Sequence, residues 1–145
     1  MLVSFSRRLR SQRILLLALL ALLACTAPAG CQKNSASFTI PPEDAQRKNP
    51  IEATPAEVEQ GRRLYTSSDC AICHGKDGDG KGVLAKDISM NTHNWHEPNS
   101  LAGITDGELF FILDKGKGRM PAYEKRQTSE QMWQMVDYIR SLAGR

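Results

Sequence analysis

The chain has 145 residues, which is room for one small domain and short additional segments. Apolar residues make up 41% and charged residues 24%, as in ordinary globular proteins, but aromatics are only 6%. A small domain with so thin a core usually depends on a metal, a disulfide or a cofactor. The net charge of +3 is misleading, because four of the 19 basic residues (Arg7, Arg8, Arg10, Arg13) sit in an acid-free amino-terminal segment. Without them 15 basic residues face 16 acidic ones, so the charge balance gives no support to a nucleic-acid partner.

Ile14 to Ala24 is an 11-residue apolar run behind those arginines. It is shorter than the roughly 20 residues needed to cross a bilayer and has the length and flanks of a signal h-region. Arg7-Arg8 begins like a twin-arginine signal, but Arg10 stands where that pattern wants an apolar residue. Residues 1–31 are therefore expected to be a signal peptide, with three readings of its end. Leu22-Leu23-Ala24-Cys25 and Ala29-Gly30-Cys31 each approximate a lipoprotein lipobox, and Ala27-Pro28-Ala29 is an ordinary cleavage site. Cysteine arithmetic favours Cys31 over Cys25 for a lipid anchor, because lipidation at Cys25 would leave Cys31 orphaned. The expected location is the periplasm or the outer face of the cytoplasmic membrane.

From residue 32 to 53 the composition is polar and proline-bearing, with no apolar period, and is expected to be a flexible tether. The domain proper is expected over residues 54–145. Thr54-Pro55-Ala56-Glu57 is a capping box with proline at the first helical position, predicting a helix to about Ser67 with Val58, Gly61, Leu64 and Tyr65 on one side. Thr105 with Glu108 repeats the device before Leu109, Phe110, Ile112 and Leu113, and Gly116 supplies a stop. Thr128 with Gln131 opens a third helix with an apolar stripe through Met132, Trp133, Met135, Val136, Ile139, Leu142 and Ala143. No segment alternates as a strand does, so the domain is expected to be all-α. Residues 76–104 form a long loop that needs something to pack on, a second hint of a cofactor.

Cys70-Ala71-Ile72-Cys73-His74 is the C-x-x-C-H pattern of covalent haem attachment. Two cysteines three apart reach two vinyl groups, and the next residue offers its imidazole to iron. A thioredoxin-like dithiol would need a βαβ context, and a zinc site would need a further well-spaced ligand. Neither is present in the sequence.

With this motif in hand, the chain resembles the class I cytochromes c, especially small bacterial single-haem domains of the cytochrome c6 and cbb3-subunit kind, over roughly residues 54–145. The resemblance is carried by Gly61-Arg62-Arg63-Leu64-Tyr65, His74-Gly75 with the glycine-rich loop, Thr105 to Leu113, Gly118-Arg119-Met120-Pro121-Ala122-Tyr123 and the final aromatic-bearing helix. It implies three main helices with long loops wrapped around one covalent haem c. It also implies that the first and last helices cross near Gly61, with Trp133 or Tyr138 as the aromatic that approaches. Met120, 46 residues beyond His74 in an Arg-Met-Pro setting, is the expected second axial ligand. A soft thioether there favours ferrous iron and raises the reduction potential. Rivals are Met90, Met132 and Met135, and the histidines His93 and His96, which would make a bis-histidine haem.

Lys76 to Gly82 begins like a calcium loop, but counting from Asp77 the fifth position is Lys81 and the twelfth is Ile88, so that reading fails. The resembled family commonly carries a proline just after this loop whose carbonyl orients the proximal histidine. Val83 stands near that place, leaving the orientation of His74 open. Trp95 either donates to a haem propionate or closes the core. Lys115, Lys117, Arg119, Lys125 and Arg126 surround Met120. They read as a solvated basic face, interrupted by Asp114 and Glu124, or as a ring steering acidic redox partners.

The sequence thus reads as a single-electron carrier with no catalytic residues, monomeric when isolated, serving redox partner proteins. Two rivals stand beside it: a haem-based small-ligand sensor with a labile Met120, and an electron-feeding subunit of an oxidase or dehydrogenase.

Overall fold

The computed structural model describes residues 38–90 and 92–144. The expected signal segment and both lipidation candidates, Cys25 and Cys31, lie outside the described residues. Six helices occur among them: α1 (Pro42–Ala45), α2 (Pro55–Ser67), α3 (Cys70–His74), α4 (Val83–Asp87), α5 (Asp106–Lys115) and α6 (Ser129–Leu142). No strand forms among the described residues, where one isolated antiparallel bridge joins Lys117 and Met120. The domain is all-α, and α2, α5 and α6 begin where the capping patterns predict.

The caps are local hydrogen-bond arithmetic. Thr105 and Thr128 accept from the backbone of Glu108 and Gln131, and those side chains bond back to the cap backbones. Thr54 accepts from the Glu57 backbone in the same way. Glu57, however, turns its carboxylate to Gln134 of α6, which donates to it at 2.6 Å. Half of the expected box has become a tie between the first and last long helices.

Those helices cross at Gly61. A Cβ there would collide with the Gln134 carbonyl and lie 2.9 Å from the Tyr138 Cβ. Tyr138 is therefore the aromatic that approaches, packing edge-on to Tyr65 at 5.3 Å. Trp133 turns instead to α5, where it stacks on Phe110 at 4.2 Å. Leu64, Leu109, Leu113, Met135, Val136 and Ile139 complete the core around these rings.

One expectation is corrected. Residues 38–53 do not all belong to a flexible tether, because the packed unit begins at Phe38. Arg47 lies 4.3 Å over the Phe110 ring and 5.5 Å from Trp133. Asn49 donates to Asp137 at 2.7 Å, and Phe38 meets Phe111 edge-on at 5.9 Å. Pro42, which argues for an extended chain, opens the short helix α1 instead. With this strap added to α2 and α5, α6 is buried from Met132 through Arg140, polar residues included. Gln134 is held by Glu57, Asp137 by Asn49, and Arg140 by Asp106 at 2.6 Å and the Ile104 carbonyl.

Two outcomes follow from this packing. Gly61→Ala forces the α2 and α6 backbones apart and should cost about 1–3 kcal/mol in chemical denaturation. Burial pushes the Asp137 carboxyl up to about 6 from its ordinary 3.8, with Asp106 and Glu57 adding to the effect and Asn49 opposing it. The folded chain holds that proton more tightly than the unfolded one. The group's stabilising contribution is therefore complete below the ordinary value and is lost as the pH rises through about 6. In Asp137→Asn, melting temperatures across that interval should follow a visibly flatter profile.

Candidate cofactor site

The site is built on a reversal of the chain. Asp69 takes a left-handed conformation, φ 64°, and turns the end of α2 into α3, the helix formed by the C-x-x-C-H residues themselves. Helical spacing puts the Cys70 and Cys73 side chains on one side, three residues apart. They form no disulfide, and Cys70 is buried and Cys73 half-buried.

The glycine-rich loop folds back onto this helix. Gly80 donates to the His74 carbonyl at 2.8 Å and Gly82 to the Cys73 carbonyl at 3.2 Å. A side chain at Gly82 would strike the Ile72 and Cys73 backbone, so only glycine allows the approach. From α2, the Tyr65 hydroxyl donates to the Gly75 carbonyl at 2.6 Å. The motif is thus clamped from both sides, by the helix before it and the loop after it.

Two mainly apolar cavities, each about 330 Å³, flank this helix. Leu109, Leu113, Met135 and Ile139 of α5 and α6 help to line the first; Leu84, Pro121 and Tyr123 help to line the second. Cys70, His74, Met90 and Met120 line both and so form the wall the cavities share. Volumes of this order are those of small-molecule and cofactor sites.

The electrostatics match the donor types. Burial lowers the His74 pKa, with a smaller contribution from His93, and so favours the neutral imidazole that a metal binds. Its Nδ1 is buried with no hydrogen-bond partner. Burial also raises the Cys70 thiol to about 11, opposed by the nearby Tyr123 hydroxyl. Two thiols at helical spacing, a neutral imidazole, thioethers and apolar walls fit a covalently held haem.

The other sequence candidates separate clearly. Met120 is fixed by a reciprocal pair of backbone bonds with Lys117, at 3.0 and 3.1 Å, while Met90 makes one to Ala85 at 2.8 Å. Met135 lines the first cavity and Met132 lies in the core. His93 lines the first cavity but engages the Ser100 carbonyl at 2.7 Å. His96 lines neither cavity and engages the Asp77 carbonyl at 2.6 Å. Trp95 is in the core, only 7% exposed, with its ring face to face with His74.

Of the basic residues near Met120, Lys115 pairs with Asp114 at 3.0 Å and Glu124 at 2.7 Å. Lys117 lies 5.3 Å from the Phe38 ring, Arg119 donates to the Ile88 carbonyl, and Arg126 lies 5.1 Å over Tyr123. Each of these four has a partner within the domain, and Lys117 also lines the first cavity and Arg119 and Arg126 the second.

Tyr123 is a site residue that sequence reasoning passed over. Its hydroxyl donates to the Ser68 carbonyl at 2.9 Å and lies 4.0 Å from the Cys70 sulfur. The available signal was its place three residues after Met120, close enough for the same loop to present both.

Residues 56–139 match the family described as cytochrome c oxidase, cbb3-type, subunit III. Among solved structures, a chain of the reducing HAO-like protein complex of Kuenenia stuttgartiensis superposes with a TM-score of 0.57 at 20% identity. The match covers 64% of this chain and 46% of that one, so less than half of the longer protein is represented. At that identity the likeness is one of fold.

Removing the Tyr65 hydroxyl tests the clamp on the motif. Tyr65→Phe leaves the Gly75 carbonyl without its donor and should cost about 1–3 kcal/mol in urea denaturation. An unchanged midpoint would mean that Gly75 is held by other contacts.

Proposed function

Because the chain belongs to the cbb3-type cytochrome c oxidase subunit III family, a class I c-type cytochrome domain, we propose that it is a single-electron carrier holding one haem c through Cys70, Cys73, His74 and Met120. The cytochrome c domain implies electron transfer and haem c. The observation that carries this reading is the wall of Cys70, His74, Met90 and Met120 shared by two apolar cavities.

When bound, the haem supplies a one-electron ferric/ferrous couple. Cys70 and Cys73 fix its position from one helix. His74, kept neutral by burial, supplies the nitrogen ligand. Met120 supplies the sulfur ligand from a loop whose backbone is closed on Lys117. Its better-tied backbone is the reason to prefer it over Met90. The apolar residues of α5 and α6 exclude water, which favours the less charged, reduced state. No residue is assigned acid–base or nucleophilic work, so the protein acts as a carrier. We further propose that residues 1–31 direct export, with a lipid at Cys31 or Cys25 holding the domain at the cell envelope.

A second reading, an electron-feeding subunit of an oxidase or dehydrogenase, is favoured by the family itself and by the occurrence of a similar fold in a multi-protein complex. Co-purification from native membranes separates the two.

The ligand set is tested by redox titration of the holoprotein beside Met120→Ala and Met90→Ala. Met120→Ala should lower the potential substantially and abolish the weak long-wavelength band of methionine–iron ligation, while Met90→Ala should preserve both. The opposite pattern would transfer the assignment to Met90. Rapid carbon monoxide binding by the reduced parent protein would instead support a ligand-binding module.

A further inference from the structure

A histidine that binds a metal through one nitrogen usually donates its other N–H to a carbonyl, carboxylate or water, which fixes the ring plane and strengthens the ligand. No protein group plays this part for His74. Its Nδ1 is buried and no protein acceptor meets it. The loop that would bring an acceptor instead donates to this helix, from the Gly80 and Gly82 amides to the carbonyls of His74 and Cys73.

Another group constrains the ring. The Trp95 indole lies against the His74 imidazole with centroids 4.8 Å apart and planes 14° from parallel. Trp95 is itself held on several sides. Its amide donates to the Gly78 carbonyl at 2.9 Å, and its carbonyl accepts from the Ser100 hydroxyl at 2.8 Å. Tyr65 meets its edge at 6.0 Å and 66°. Gly78 makes the seat: a Cβ there would lie 2.7 Å from Trp95 Cε3.

We propose that Trp95 is the positioning residue that sets the plane of the His74 imidazole by stacking, in place of the usual Nδ1 hydrogen bond. This rests on the reading of His74 as an iron ligand. It has two consequences. The ring is held against rotation by a flat neighbour and not by a directional acceptor. The imidazole also keeps its Nδ1 proton without help from an acceptor, which leaves it a weaker donor to ferric iron and favours the reduced state.

Electron paramagnetic resonance of the oxidised holoprotein is sensitive to axial-ligand orientation through the principal g values. Trp95→Phe retains a flat ring and should keep the parental values. Trp95→Leu retains bulk without a plane and should shift and broaden the largest g value. Parental g values in Trp95→Leu would overturn the proposal. Should that variant fail to mature, the reduced parent protein still decides by NMR. A His74 Nδ1 proton at the shift of an unshared N–H supports stacking, and one at the downfield shift of a strong hydrogen bond overturns it. A parent with histidine but no methionine ligation removes only the Met120 assignment, and the Trp95 comparison still stands. A parent without histidine ligation overturns both.

Discussion

At the crossing of α2 and α6 the Gly61 backbone rests against the Gln134 carbonyl, with no room for a side chain between them. The cofactor site inherits its dimensions from this approach. One turn beyond Gly61, Tyr65 reaches the Gly75 carbonyl and the edge of Trp95, so the position of α2 becomes the position of the C-x-x-C-H helix. On the other side, Met135 and Ile139 of α6 become cavity wall. Separating the two helices by the width of a methyl group would displace the floor and the side of the cavity together. The steric constraint is thus also the alignment device.

Around that frame, burial does most of the chemical tuning. It favours the neutral imidazole and leaves thioethers facing an apolar space. The charges that approach this interior sit at its rim: Lys117 lines the first cavity, Asp69, Arg119 and Arg126 line the second, and Arg126 pairs with Asp69, while Lys115 and Arg140 pair elsewhere with Asp114, Glu124 and Asp106.

What was legible in the sequence is what depends on neighbours three or four residues away. The caps at Thr54, Thr105 and Thr128 are of that kind, and each is found where it was expected. The crossing at Gly61 was legible only through family resemblance, and its choice of Tyr138 over Trp133 needed coordinates. Contacts across long sequence separations were invisible. Glu57 turning from its own cap to Gln134 and Asn49 reaching Asp137 have no local signature. The stack of Trp95 on His74 is equally silent, because nothing in a lone loop tryptophan says which ring it will meet. Polar composition misled the reading of residues 38–53 for a physical reason. Arg47 and Asn49 bind α5 and α6 through a guanidinium and an amide, which an apolar-pattern search does not count.

The strap also changes what counts as the transferable unit of this protein. The family match starts at residue 56, yet Arg47, Asn49 and Phe38 lie before it and cover Phe110, Asp137 and Phe111. A graft cut at the family boundary would carry the haem motif and Met120 intact but uncover an aromatic and a carboxylate that the parent keeps apart from water. In a host protein those two groups would demand a new cover, and a foreign surface would supply it. Modularity here follows the covered face of α6, and it is longer than the alignment.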